Sequence, residues 1–133
     1  MRAKQKPMLA ASMLLVLLSG ACRNSPAEDT QRRVVQIAEL EIDPTQLESY
    51  KALLREEIET SIRVEPGVLT FYAVSLKDNP AHIRIFETYA GADAYNSHLQ
   101  TLHFQKYKTG TQHMVKSLKL METDPILLGV KPY

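Results

Sequence analysis

The feature that most constrains this chain is the order in which its hydrophobic period changes between Val34 and Met121. VVQIAELEI at 34–42 is rich in β-branched residues and alternates imperfectly, which predicts a strand. Asp43-Pro44-Thr45-Gln46 then offers a capping residue, a proline suited to the first helical position and a glutamine behind it. Leu47, Tyr50, Leu54, Ile58 and Ile62 follow as one apolar stripe on a helix of about 44–63, with Glu56, Glu57 and Glu59 expected on its solvated side. Pro66-Gly67 ends that helix, and VLTFYAVSL at 68–76 reads as a second strand. Lys77-Asp78-Asn79-Pro80 is a turn into a third strand, HIRIFETYA at 82–90. Helical spacing returns from Gly91, where Ala92, Tyr95, Leu99 and Leu102 share a face, and Thr101 is placed to cap a further turn carrying Phe104 and Tyr107. A last strand is expected at 113–121.

The resulting order, β-α-β-β-α-β, predicts an α+β protomer of ferredoxin-like arrangement. Such a sheet carries helices on one face, so clean alternation is expected if the other face meets water. The second strand does not alternate cleanly: it offers Val68, Tyr72, Val74 and Leu76 to one side and Leu69, Phe71 and Ala73 to the other. Both faces therefore need a cover. Two helical regions can supply one of them, and a second copy of the chain is the economical source of the other. A homodimer packed through its sheets is the expectation.

The N-terminus carries a separate instruction. Arg2, Lys4 and Lys6 precede an apolar run, Met8 to Leu18, that is too short to cross a bilayer and has the build of a secretory signal. The small residues Gly20 and Ala21 lead to Cys22, the single cysteine of the chain. This segment resembles the lipobox of bacterial lipoproteins, with Ser19 where a larger aliphatic residue is usual. Residues 1–21 are thus read as a signal peptide, Cys22 as the lipidated residue, 22–32 as a polar tether and 33–133 as the folded domain. The resemblance implies export and anchoring in the cell envelope. Arg23 stands where an aspartate would retain the protein at an inner membrane, which points to the outer membrane. Cleavage would remove three of 16 basic residues and none of 15 acidic ones, leaving 13 against 15. A near-neutral, slightly acidic domain has no electrostatic attraction for nucleic acid, and that partner class is excluded.

EPGVLTFYAV at 65–74, IFETYAGADAYNSHLQTLHFQKY at 85–107 and the strand at 34–42 resemble antibiotic biosynthesis monooxygenase domains, in particular a small quinol monooxygenase-like branch. The likeness covers 34–121, and its most specific part is His98, three residues, Leu102-His103-Phe104 and then Tyr107. It implies a dimeric α+β barrel. Family members include oxygenases that need neither metal nor flavin, an isomerase and haem-degrading enzymes, so the fold alone does not decide the chemistry. The haem branch is a poor fit: its asparagine, tryptophan and haem-ligating histidine are replaced by Leu40, His98 and Lys108, and the chain lacks tryptophan.

Seven of the nine aromatic residues fall between 71 and 107, interleaved with His98, His103 and Glu87, a composition suited to holding a flat organic ligand or simply to forming a core. His98 flanks the apolar helical face. An imidazole titrates near pH 6.5, so it can serve as a general base or proton relay, or as a histidine bonded to a helix end. Glu87 lies in an apolar-aromatic strand, where it can partner His98 or pair with Arg84. Tyr72, Phe86, Tyr89 and Phe104 are candidate walls of the pocket, His103 a weaker polar candidate, and Glu39 a position often polar in the resembled family. His82 and His113 begin strands and read as surface residues. Metal binding finds little support: His98 and His103, five apart on one helix, would stand about 140° apart around its axis, and no H-E-x-x-H or cysteine set occurs. No flavin or nucleotide loop is present either. The expectation is a cofactor-free, metal-free monooxygenase-like protein that takes a proton from a small phenolic or quinol compound and lets it react with O2. A non-catalytic binding domain for a small aromatic or quinone ligand, and an isomerase using the same site, are the alternatives.

Overall fold

The computed structural model describes residues 32–131. The signal peptide at 1–21, Cys22 and the tether up to residue 31 lie outside the described residues. Four strands and three helices follow in the order β1 (Val34–Ile42), α1 (Leu47–Val64), β2 (Val68–Ser75), β3 (His82–Tyr89), α2 (Ala92–Leu99), α3 (Leu102–Thr111) and β4 (Val115–Thr123). The strands form one antiparallel sheet in the order β2-β3-β1-β4. This is the ferredoxin-like α+β arrangement. No helix of the described residues is long and apolar enough to cross a membrane.

Local chemistry accounts for most boundaries. The Thr45 amide and hydroxyl both donate to the Asp43 carboxylate, at 2.9 and 2.7 Å, and Pro44 opens a short 3-10 turn that runs into α1. Gly67 is required by close approach: a Cβ there would lie 2.5 Å from the Cβ of Ala94, so α2 could not sit against the start of β2. β4 starts two residues later than its sequence pattern, because the chain first turns back and the buried Met114 carbonyl accepts from the Asp43 amide.

The buried stripe of α1 differs from the expected one. Its buried residues are Tyr50, Leu54, Glu57 and Ser61, and Ile62 is 49% exposed. At about 100° per residue those four positions fall within some 60° of one another, whereas Ile58 and Ile62 drift about 80° and 120° away from Tyr50. Glu57, expected on the solvated side, is only 2% exposed.

Pairing across the sheet assigns the two faces. Ala38 lies opposite Ile85 and Leu40 opposite Ile83, and these residues pack with Phe71, Tyr89, Tyr50 and Leu54 as the core beneath the helices. A bulge between Val68 and Thr70 brings Val68 onto that face too, opposite Tyr89. On the opposite face Val35 and Thr88 are buried, but Tyr72 and Val74, paired with Phe86 and Arg84, stand 63% and 57% exposed.

Candidate active site

The helical region after β3 is interrupted, and the interruption builds the site. α2 ends at Leu99 and α3 begins at Leu102. Thr101 holds the join from both sides, its hydroxyl donating to the His98 carbonyl at 2.8 Å and accepting from the Phe104 amide at 3.2 Å. On a continuous helix His98 and His103 would point apart; the break instead brings their rings to a centroid separation of 6.3 Å. Both reach one oxygen of Glu65, His98 through Nδ1 at 3.0 Å and His103 through Nε2 at 2.5 Å. A carboxylate only accepts, so both of those nitrogens carry hydrogen and donate. Glu65 is available because α1 stops there: its backbone is extended, and its amide closes the helix on the Ser61 carbonyl.

His98 is 1% exposed and enclosed by rings, with the centroids of Phe104, Tyr89 and Phe71 at 5.0, 5.3 and 6.1 Å. Its Nε2 faces Oε1 of Glu57 at 3.6 Å, beyond hydrogen-bond length. The Ser61 hydroxyl donates to that same Oε1 at 2.8 Å, while the buried Oε2 of Glu57 finds no hydrogen-bond partner among the described residues. Burial pushes the Glu57 carboxyl up to about 7, despite the Ser61 hydrogen bond, and the charges of Glu87 and Glu65 add to the effect. For Glu65 burial acts in the same sense, but the hydrogen bonds from His103 and His98 outweigh it and hold the carboxyl below its ordinary value.

Glu87 does not hydrogen-bond to His98. Its Oε2 accepts from the Tyr89 hydroxyl at 2.7 Å, and burial raises its carboxyl. Tyr89 is itself stacked edge-on against Tyr95, with centroids 5.1 Å apart. Tyr95 and Ala92 line a cleft of about 560 Å³ together with Arg33, Val34, Gln36 and Glu122, and Gln36 lies directly across the ladder from Glu87. The volume is within the usual range for a small-molecule site. Beside His103 there is only a gap of about 10 Å³, near the limit for one water.

Of the residues singled out in the sequence, His98, His103, Glu87, Tyr89 and Phe104 come together under the helices. Tyr72, Phe86 and Glu39 do not: register places them on the opposite face of the sheet, where Glu39 pairs with Arg84 at 3.6 Å. Glu57, Glu65 and Phe71 belong to the cluster and were missed. Glu57 could have been found from its helical angle to Tyr50 and Leu54; Glu65 carries no such signal, since its place depends on where α1 ends. Glu57, His98 and His103 each offer a ligand atom within 4.8 Å of the others, so the metal argument drawn from one unbroken helix does not describe this geometry.

The family model described as antibiotic biosynthesis monooxygenase matches residues 33–110. A solved structure assigned to that activity, from Bacteroides thetaiotaomicron, is 47% identical, covers 78% of this chain and 99% of its own, and superposes with a TM-score of 0.74. A monooxygenase-assigned structure from Lactobacillus acidophilus is 28% identical with a TM-score of 0.68, covering 69% of this chain and 44% of its own length. One from Nitrosomonas europaea, at 22% identity over 72% of this chain and 92% of its own, shares the fold with a TM-score of 0.68. No curated protein of described function matches the chain.

Proposed function

Because the chain belongs to the antibiotic biosynthesis monooxygenase family, we propose that it oxygenates a small phenolic or quinol compound by proton removal and direct reaction with O2, without a cofactor. Membership makes it a monooxygenase-like protein; the substrate class and the route are inferred from its own residues. The observation that carries them is a largely buried run of ionisable side chains, Glu57, His98, Glu65 and His103, beside the Glu87–Tyr89 pair, the Tyr89 ring packing against both His98 and Tyr95, which lines a 560 Å³ cleft. A small domain gains little stability from burying three carboxylates, so such a cluster points to chemistry.

A flat ring stacked on Tyr95 presents its hydroxyl toward Tyr89 and Glu87. Glu87, hydrogen-bonded to the Tyr89 hydroxyl, takes up the proton, and His98, packed against the Tyr89 ring and held by Glu65, is the proton-transfer group behind that pair; the electron-rich anion then reduces O2 where water is excluded. For a quinol the electrons balance without a cofactor. One oxygen atom enters the ring, the other leaves as water, and the quinol supplies all four electrons as it becomes a hydroxyquinone.

A second copy covers the open face of the sheet in this reading, where Tyr72 and Val74 stand more than half exposed. The domain is tethered to the envelope through Cys22, facing the periplasm from the outer membrane; Cys22→Ser should then abolish detergent partitioning. Oxygen uptake by the purified protein with a panel of hydroquinones tests the reaction. Uptake that disappears in His98→Gln supports it. Ligand binding without turnover would make the domain a receptor instead.

A further inference from the structure

The polar atoms around His98 are arranged for more than a proton. Glu65 fixes the ring by accepting from Nδ1, which leaves the lone pair of Nε2 directed at Glu57. Two acceptors, an imine nitrogen and a carboxylate oxygen, therefore face each other 3.6 Å apart, and the second oxygen of that carboxylate is buried without a partner among the described residues. Facing acceptors in a buried site need a proton or a cation between them, and that second oxygen of Glu57 and the nearby His103 supply donors that a proton alone does not use. His103 stands on the third side with one ring nitrogen within 4.8 Å of the other two donors; its Nε2 donates to Glu65, so an ion is bound through Nδ1 or takes the place of the Nε2 hydrogen.

We propose that Glu57, His98 and His103 form a binding site for a divalent first-row transition ion of the Zn2+ type, with Glu65 as the carboxylate that orients His98. Two nitrogens and one oxygen suit Zn2+ or Co2+ rather than Mg2+ or Ca2+, which take oxygen ligands. Around an ion with bonds of about 2.0–2.2 Å, tetrahedral ligands lie about 3.4 Å apart. The His98–Glu57 spacing is already close to that, and His103 has to close by at most about 1.4 Å from the 4.8 Å limit. A carboxylate accepting from the far nitrogen of a ligating histidine is the usual outer support of such a site. Three protein ligands leave a fourth position for water.

The site stands independently of the reaction proposed above and shares only side chains with it. An ion on Nε2 of His98 takes the lone pair that the relay would use, so metal loading should suppress oxygen uptake.

The test is titration of the chelator-treated full chain with Co2+, read by its visible d–d bands, with Zn2+ as competitor. One saturating equivalent displaced by Zn2+ is expected. His103→Gln, at a partly exposed position, and Glu57→Gln should each abolish the bands, and Glu65→Gln should weaken binding by about 10–100-fold. Absence of saturable bands overturns the proposal, as does a spectrum unchanged in both His103→Gln and Glu57→Gln. If Glu57→Gln does not fold, His103→Gln decides alone. A Co2+ spectrum without oxygen uptake in the metal-free protein would defeat the reaction and leave the site standing; uptake without a spectrum would do the reverse.

Discussion

The two faces of the sheet are made by alternate residues of the same strands, yet they differ in kind. The face beneath the helices is packed over β2, β3 and β1, where apolar and aromatic side chains surround His98 and the carboxylates have hydrogen-bonding hydroxyl or imidazole neighbours; only toward the edge strand do Leu118 and Leu120 reach water. The other face carries Tyr72 and Val74 in water and an Arg84–Glu39 pair that is more than one-third exposed on both sides. Neighbours in sequence, such as Phe86 and Glu87, therefore answer to different demands. In the function proposed above, one face serves reactivity and the other association.

The largest effect that would sharpen this contrast is at His98. His98→Gln should leave a cooperative thermal transition while lowering oxygen uptake by about 10²–10⁴-fold, the usual worth of a proton-transfer group. Full activity in that variant would reduce the covered face to a polar core. On the open face, Val74→Asp should convert a dimer to a monomer in light scattering without loss of secondary structure. Dimeric mass retained in the variant would mean that this face is not the contact.

Gly67→Ala tests how the covered face is assembled. The added methyl meets Ala94 and must displace α2, so a loss of about 1–3 kcal/mol in denaturant unfolding is expected, with activity falling as His98 moves. The unfolding of wild type at several pH values tests the buried carboxylates. Glu87 has a raised carboxyl in the folded state, so its contribution is fully present below the ordinary carboxylate pKa and is lost as pH rises through the folded value. Glu57 acts with the same sign up to about pH 7. Glu87→Gln should flatten part of that decline. The smallest effect belongs to the open face: Glu39→Gln should change stability by less than about 1 kcal/mol, because an exposed ion pair is weak, and leave oxygen uptake intact. A tenfold loss of uptake would show that the faces are not separable.

Much of this was legible in the sequence where local chemistry decides. The cap at Asp43, the stop at Pro66-Gly67 and the capping role of Thr101 all follow from short-range preferences. The parts that were not legible depend on direction in space. Tyr72 and Phe86 look like pocket walls beside Phe71 and Glu87, but one residue of offset sends them through the sheet. Reading α1 by spacing alone followed Ile58 and Ile62 outward and passed over Glu57, whose angle matched the core. His98 and His103 were treated as occupants of a single helix, although Thr101 already marked where that helix breaks.

The bulge at the start of β2 has a consequence for how such a chain can change over generations. Because face assignment counts residues in twos, inserting or deleting one residue within β3 would exchange Phe86 for Glu87 between the two faces of the sheet. At Leu69 the count is already broken, and the parity of the strand is set anew from Thr70 onward. The connection between α1 and β2 can therefore gain or lose a residue and still deliver Phe71 inward and Tyr72 outward. Length variation among descendants of this chain should collect at that join and be scarce inside the strands it protects.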